Sequence, residues 1–332
     1  MSQFPIVSVL IAARNEAANI DECLRSLINQ EYPLDHIEIL IGDDDSSDET
    51  YNLANKWVAS FSFIKAFKIT VGDDNLKGKA NVLCQLAKKA NGEIFCITDA
   101  DVEVCPTWIG TLVNAMIDDT AIVTGVTTVI GQRLFAKLQN ADWIFYTALG
   151  HQFASKNSPV TAMGNNMAIR RNAYEYVGGY DNIPFSITED FELFRQVIKA
   201  GFKFKSIFCL STLAHTKPVT KLNQLFHQRK RWLTGALQLP IKFKSGLIIQ
   251  CLTLPLLISI GCFFSWTLMC AILICLWAFN IFQLRRFYSW IASPANLGLY
   301  LYFPYSLLFN FCFFLFQIAP VSVIWKGRSY PA

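Results

Sequence analysis

Four short clusters of charged residues stand out in the first 240 residues, and the spacing within each suits a particular chemistry. Asp99-Ala100-Asp101 directly follows the apolar run Ile94 to Thr98. On an extended tip alternate side chains share a side, so Asp99 and Asp101 can together hold Mg²⁺ or Mn²⁺, hard ions that take oxygen ligands and bridge phosphates. Such an ion neutralises a departing diphosphate; a solvated acidic turn would read the same way. Asp43-Asp44-Asp45-Ser46-Ser47-Asp48 follows Ile37 to Gly42. Its bland reading is a helix cap, with Ser46 or Ser47 capping and Asp48 and Glu49 in the first turn. Three consecutive Asp exceed what a cap requires, and a carboxylate here can accept the imide hydrogen of a uracil-type base. Thr188-Glu189-Asp190 introduces a helix predicted over Phe191 to Ala200. Thr188 suits a cap, and an acid at a helix start is placed to act as a general base. Gln228-Arg229-Lys230-Arg231-Trp232 lies on a helix predicted over Val219 to Leu239. It reads either as a basic interfacial helix with a Trp anchor or as guanidinium for a diphosphate and an indole face for a sugar.

The elements that must position these clusters follow from apolar periodicity. Runs at Ile6 to Ala13, Ile37 to Ile41, Ile64 to Ile69 and Ile94 to Thr98 alternate with helical patterns at Ala17 to Asn29, Glu49 to Ala59, Lys79 to Ala90 and Thr107 to Ile117. Short β-branched runs joined by amphipathic helices predict an α/β fold with a mostly parallel sheet flanked by helices. Such sheets bind ligands at the carboxyl ends of their strands, where both Asp clusters fall. The first strand ends in Ala-Ala-Arg-Asn-Glu with no GxGxxG, which disfavours a dinucleotide enzyme. After Ala121 the alternation loosens into a strand to Thr128, a helical stretch from Leu134 to Ala154 and a loop-rich segment reaching Asp190.

Composition places the rest of the chain in lipid. Of 332 residues, 53% are hydrophobic and only 16% charged, against about 25% charged in soluble domains. Charges vanish over 246–284 and again over 287–325. Each stretch runs about 39 residues, roughly twice what one helical span needs. The first predicts a hairpin turning near Gly261 or Ser265. The second predicts one or two further spans, because Ser289 to Asn296 is rather polar and contains Pro294. The basic clusters Lys242/Lys244, Arg285/Arg286 and Lys326/Arg328 would share one side if the crossings were even in number, which favours that count.

No basic n-region precedes the first apolar run, so the expectation is a cytoplasmic domain over residues 1–240, membrane helices over 246–325 and a basic tail over 326–332. The protein is then an integral, multi-pass membrane protein, in the inner or plasma membrane if the source is bacterial. Ten cysteines without a CxxC pair indicate packing rather than a disulfide or zinc framework. A net charge of +4 makes no case for nucleic acid.

Taken in order, Arg14-Asn15-Glu16, DDDSSD, Lys77-Gly78-Lys79, DAD, Gly164-Asn165-Asn166, TED and QRKRW resemble glycosyltransferase family 2 over about Val7 to Leu239. These are the inverting GT-A enzymes that include cellulose, chitin and hyaluronan synthases and ceramide glucosyltransferase. The resemblance implies a GT-A sheet and a nucleotide-sugar donor. It assigns Asp44, with Asp43, to the nucleobase and ribose, Lys79 to the neighbourhood of the donor diphosphate, and Asp101 to the metal, with Asp99 touching metal, donor sugar or ribose. Asp190 is implied as the general base, and Gln228, Arg231 and Trp232 as the acceptor-proximal motif, with Trp232 stacking on the acceptor and Arg231 facing the diphosphate. Asp45 departs from the family, standing where Gly is usual. Lys217 replaces a more typical acidic or neutral residue, and His215 is either a further metal or phosphate contact or structural. Sugar choice is expected from the pocket around Asn165 and Asn166.

The function expected is transfer of a sugar from a UDP-sugar, or secondarily a GDP-sugar, to a hydroxyl of a lipid or lipid-linked acceptor at the cytoplasmic membrane face. A processive polysaccharide synthase is the nearest rival, although no span precedes Phe4 and a polymer channel looks hard to build. A catalytically silent membrane scaffold conflicts with the intact DAD, TED and QRKRW, and a nucleotidyltransferase would not need the last two beside a membrane.

Overall fold

The alternation of apolar runs and helical patterns yields the expected architecture in the computed structural model, which describes residues 4–72, 76–158, 160–236, 238–239, 241–318, 322–325 and 328–330. The first half runs β1 (Val7–Ala13), α1 (Ile20–Ile28), β2 (Ile37–Asp43), α2 (Thr50–Ser60), β3 (Ile64–Lys68), α3 (Gly78–Lys89), β4 (Ile94–Asp99) and β5 (Val102–Val104). Then come α4 (Trp108–Asn114), β6 (Thr120–Thr124), β7 (Val126–Val129), α5 (Leu134–Ala154), β8 (Asn166–Arg170), α6 (Arg171–Tyr176), α7 (Gly179–Asn182) and α8 (Glu189–Lys199). The chain continues through β9 (Lys203–Ser206), β10 (Leu213–Thr216), α9 (Leu222–Ala236), α10 (Ile241–Phe263), α11 (Trp266–Trp290), α12 (Leu297–Ile318), β11 (Val323–Trp325) and β12 (Arg328–Tyr330).

Seven strands form one sheet in the order β3-β2-β1-β4-β8-β6-β9. Only β8 runs against its neighbours β4 and β6, so the sheet is mostly parallel. Its central strands are buried on both faces: every residue of β2 is buried, and so is every residue of β1 except Ala12. That burial explains why these runs read as continuously apolar rather than alternating. Strand order reverses between β1 and β4, and the crevice at such a reversal is where open sheets take ligands. Register fixes what lies there, since Ala13 pairs with Asp43 and Ala12 with Asp99. The two acidic clusters therefore flank the end of one strand. A second, three-stranded sheet has the order β5-β10-β7.

The chain divides into two compact units, one of residues 1–128 with 149–217, the other of 129–148 with 218–332. The division falls earlier than the expected boundary at 240, and the second unit gathers the first part of α5 with α9 and the apolar helices. Three helices are long and apolar enough to cross a membrane, over Phe243–Phe263, Trp266–Trp290 and Leu297–Gln317. The first two meet at the expected turn, where the Ser265 hydroxyl caps α11 by accepting from the Leu268 N–H at 3.4 Å. The second charge-poor stretch holds only α12 as a helix of this kind among the described residues, and the polar lead-in with Pro294 is the loop before it. Lys326 lies outside the described residues, and part of the basic tail forms β12, paired antiparallel with β11.

Candidate active site

The loops that leave β1 and β2 are sewn together by short polar side chains. Asn15, at a positive φ of 54°, donates its N–H to Ser46 Oγ at 3.0 Å and accepts from the Ser47 N–H at 2.8 Å. The Glu16 N–H donates to Thr50 Oγ1 at 2.7 Å, and the Ala17 N–H to Asp48 Oδ2 at 3.1 Å. Asp48, rather than Ser46 or Ser47, serves the start of α2, accepting from the Thr50 N–H at 3.0 Å. Ser46 and Ser47 are drawn away because the β1 loop offers them partners. Burial acts against the Asp48 charge, but these hydrogen bonds outweigh it and hold the carboxyl below its ordinary value.

Asp43 is buried at the tip of β2, with Oδ2 accepting from the Ser46 N–H at 3.3 Å. Its Oδ1 is also buried and meets no hydrogen-bond partner among the described residues. An uncompensated buried acceptor is costly, and one at a strand end in the ligand crevice suits a donor brought by a ligand. Asp44 sits beside it, its carbonyl accepting from Arg14 Nη1. Asp45, where glycine is usual, keeps the positive φ of 58° that explains the usual glycine. Its side chain is 92% exposed and 4.0 Å from Arg14, so the added charge points to solvent.

Across β1, the tip of β4 gathers charge. Lys79, near the start of α3, places Nζ 2.5 Å from Asp99 Oδ1 and 3.4 Å from Glu189 Oε1. Burial pulls the Lys79 ammonium down, yet Asp99, Glu189 and Asp190 together push it well above its ordinary value, so it stays charged. Gly78 precedes it at φ 58°, turning the chain into α3. Asp190 lies in the first turn of α8, with Oδ1 accepting from the Phe191 N–H at 2.8 Å and Oδ2 from the Gly164 N–H at 2.6 Å. A Cβ on Gly164 would come within 2.6 Å of Asp190 Cβ, so glycine permits this approach. Thr188 is at the N-cap position, but its hydroxyl lies 3.1 Å from Ser186 Oγ instead of capping the helix. Further evidence of crowded negative charge comes from Cys23, whose thiol is pushed well up, first by burial and then by Asp101, Asp99, Glu16 and Glu103.

Beside Glu189 lies a small cleft, lined also by Leu76, Ala80, Tyr180, Ile183, Pro184, Phe185 and Ser186. The Tyr180 hydroxyl is buried and finds no partner among the described residues. Asn165 and Asn166 are not in that lining. Both are buried, Asn166 accepting from Trp108 Nε1 at 2.8 Å and donating to the carbonyls of Val126 and Thr212, Asn165 accepting from Thr127 Oγ1. They fasten β8 to the second sheet, which corrects the expectation that they shape a sugar pocket. His215 is half-buried, 2.8 Å from Thr128 Oγ1, with burial lowering its pKa against the opposing pull of Glu103. Lys217 pairs with Glu22 at 2.6 Å.

Gln228, Arg231 and Trp232 lie on α9, in the second unit. The Gln228 Oε1 is buried without a partner among the described residues. Trp232 is held on two sides: the Arg229 guanidinium carbon lies 4.3 Å from its ring centroid, and Trp143 meets it edge-on at 5.2 Å. Arg229 is itself fixed by an ion pair with buried Asp142, whose other oxygen accepts from the Tyr302 hydroxyl at 2.9 Å. One indole face is thus occupied by Arg229. Sequence reasoning passed over Asp142 and Tyr180, and named Glu189 within its motif without a role. Asp142 carried a signal, a lone acid in an apolar helical stretch, which is expensive unless paired.

The model of "Glycosyl transferase family 2" matches residues 8–178, and that of "Glycosyl transferase family group 2" matches 94–319. "Probable glycosyltransferase YdaM" of Bacillus subtilis is 31% identical over 73% of this chain and 58% of its own length. A "Beta-monoglucosyldiacylglycerol synthase" of Trichormus variabilis is 27% identical over 70% of this chain and 49% of its own. The chain thus spans about half the length of the curated relatives it matches. A Pyrobaculum calidifontis mannosyltransferase, solved with GDP-Man and Mn²⁺, superposes with a TM-score of 0.58 at 18% identity, covering 93% of this chain and 88% of that one. That likeness shows the GT-A fold, and with the family matches it shows that this chain belongs to glycosyltransferase family 2.

Proposed function

We propose that this chain moves a sugar, with inversion at the anomeric carbon, from a nucleotide-diphosphate sugar to a hydroxyl of a lipid or lipid-linked acceptor. The observation that carries this reading is the convergence of Lys79, Asp99, Glu189 and Asp190 beyond the end of β4. It sets a fixed cation and an oriented carboxylate in one place, the pair that an in-line displacement of a diphosphate needs.

Asp190 takes the proton of the acceptor hydroxyl as that oxygen attacks. Its two backbone hydrogen bonds fix the carboxylate plane and leave lone pairs for the substrate. Lys79 shares its charge between Asp99 and the arriving diphosphate. Asp43 Oδ1, with no partner in place, accepts the imide N–H of the base, and Asp44 holds the ribose. Uracil and guanine both present such an N–H, and a UDP-sugar is the preferred donor. The carboxylates of Asp101 and Asp99, both near enough to act on the Cys23 thiol, are the kind of oxygen donors that a hard divalent ion takes. Mg²⁺ or Mn²⁺ there would neutralise the departing diphosphate. Trp232 presents its remaining indole face to the acceptor, next to the unpartnered Gln228 Oε1.

A lipid acceptor is supported by the apolar helices that follow and by three relatives named as monoglucosyldiacylglycerol synthases. The α10–α11 hairpin would put Lys242/Lys244 and Arg285/Arg286 on one side, the cytoplasmic one by charge placement. The test is a panel of radiolabelled nucleotide-sugars on membranes holding the full chain, with diacylglycerol vesicles supplied and products resolved by lipid fraction. One sugar added per lipid is the expected product. A ladder would indicate processive synthesis, and absence of label from every lipid fraction would defeat the acceptor assignment.

A further inference from the structure

Length and composition make α12 look like a third crossing, but its packing differs from that of α10 and α11. Residues 274–279 of α11 are exposed without a break, more than one full turn, as on a helix surrounded by solvent or lipid. In α12 exposure falls on one stripe, Leu297, Tyr300, Pro304, Leu308, Cys312 and Leu315, spaced as one face of a helix. Leu299, Tyr302 and Phe309 are buried on the other side. Accordingly, 22% of α12's apolar window is buried inside the protein, against 11% and 6% for α10 and α11.

α12 packs on α10 and α11 as well as on α9, and the contact with α9 is the one that sets its depth. Its second half lies along α9, the helix that carries Arg229, Lys230 and Arg231. Phe226 meets Phe309 at 5.3 Å and Phe316 at 5.2 Å, His227 meets Phe316 edge-on at 5.5 Å, and Lys230 Nζ lies 5.5 Å from the same ring centroid. Tyr302, further back, reaches Asp142. If α12 ran straight through a bilayer from Leu297, Phe309 and Phe316 would lie about 18 to 28 Å deep, in the far half of a core about 30 Å thick. The charged residues of α9 would have to accompany them there, at heavy cost. Connectivity forbids it as well, because α9 leads directly into the end of α10 that bears Lys242 and Lys244. β11 follows α12 and packs against α9.

We propose that α12 lies in the membrane interface instead of crossing, with its apolar stripe in the acyl and headgroup boundary of a lipid surface. Among the described residues only the α10–α11 hairpin then crosses. Lys242/Lys244 and Arg285/Arg286 then fall on the same side as Arg328 in β12. The inference goes beyond the sugar-transfer reading and needs no substrate to test it.

In Escherichia coli membranes, green fluorescent protein fused after Ala332 of the full chain should fluoresce and alkaline phosphatase fused there should be inactive. Active phosphatase with a dark fluorescent fusion overturns the proposal. A second pair keeps it falsifiable if the fusions perturb folding. Leu276→Arg, on α11, should lower the amount of membrane-integrated chain about fivefold or more, whereas Leu308→Arg, free to snorkel from an interfacial helix, should change it less than twofold. Equal losses would place α12 across the bilayer.

Discussion

The main sheet carries buried carboxylates at both of its ends, and the two ends treat them differently. At the amino end, Glu38 is saturated: Ser8 Oγ donates to it at 2.6 Å, the Asn91 N–H at 2.5 Å, Asn91 Nδ2 at 3.0 Å, and Lys65 lies 3.7 Å away. At the carboxyl end, Asp43 keeps a buried oxygen without a partner among the described residues, and Lys79 stands among three carboxylates. A carboxylate whose lone pairs are filled by the fold holds the fold together. One that is oriented but left with capacity is available to a substrate.

The largest break in that contrast is Asp190→Asn, which keeps the shape and removes the base. Transfer should fall by about 10² to 10⁴ while equilibrium binding of UDP changes little, and retained turnover in membranes would end the base assignment. Next, Asp142 extends the contrast to the other unit, as a buried carboxylate engaged by the side chains of Arg229 and Tyr302. Asp142→Asn strands a buried guanidinium and should cost about 3–5 kcal/mol in unfolding of the detergent-solubilised chain. Loss of acceptor affinity without loss of stability would move Asp142 into the group that handles substrate.

Lys79→Met removes the cation at the tip of β4. Charge-assisted hydrogen bonds contribute about 1.5–3 kcal/mol, so kcat/KM for the donor should fall roughly 10- to 100-fold. Gly164→Ala pushes a methyl against Asp190 and should lower kcat about tenfold with the donor KM nearly unchanged. The smallest effect is at the amino end. Burial raises the Glu38 pKa, but Ser8, Asn91 and Lys65 more than reverse this and leave it below the ordinary value. Its contribution is therefore complete above the ordinary glutamate range, about pH 4.3, and is lost as pH falls through the lowered native value. Glu38→Gln should cost about 1 kcal/mol at neutral pH and flatten the acid flank of a stability–pH curve, with activity per folded molecule retained.

The positions of Asp99 and Asp101 at the tip of β4 and of Asp190 at the start of α8 were legible because strand ends and helix starts are local features, marked by an apolar run that stops or a cap that begins. The pairing of Lys79 with Glu189 was not, since it joins the start of α3 to the start of α8 across a loop-rich stretch that no periodicity spans. Asn165 and Asn166 misled for a related reason. A polar pair after glycine looks like a pocket lining, and only the positions of Trp108, Thr127 and Thr212 show that it faces inward.

Sequence by itself determined the mostly parallel sheet, the acidic clusters at its strand ends and the presence of helices fit for lipid, because periodicity and charge spacing are properties of neighbouring residues. Tertiary structure alone decided which carboxylates were left with capacity, which face of Trp232 was covered, and that α12 packs along a charged helix. Each of these depends on side chains distant in sequence meeting in space, where burial sets the cost of a charge and a partner removes it.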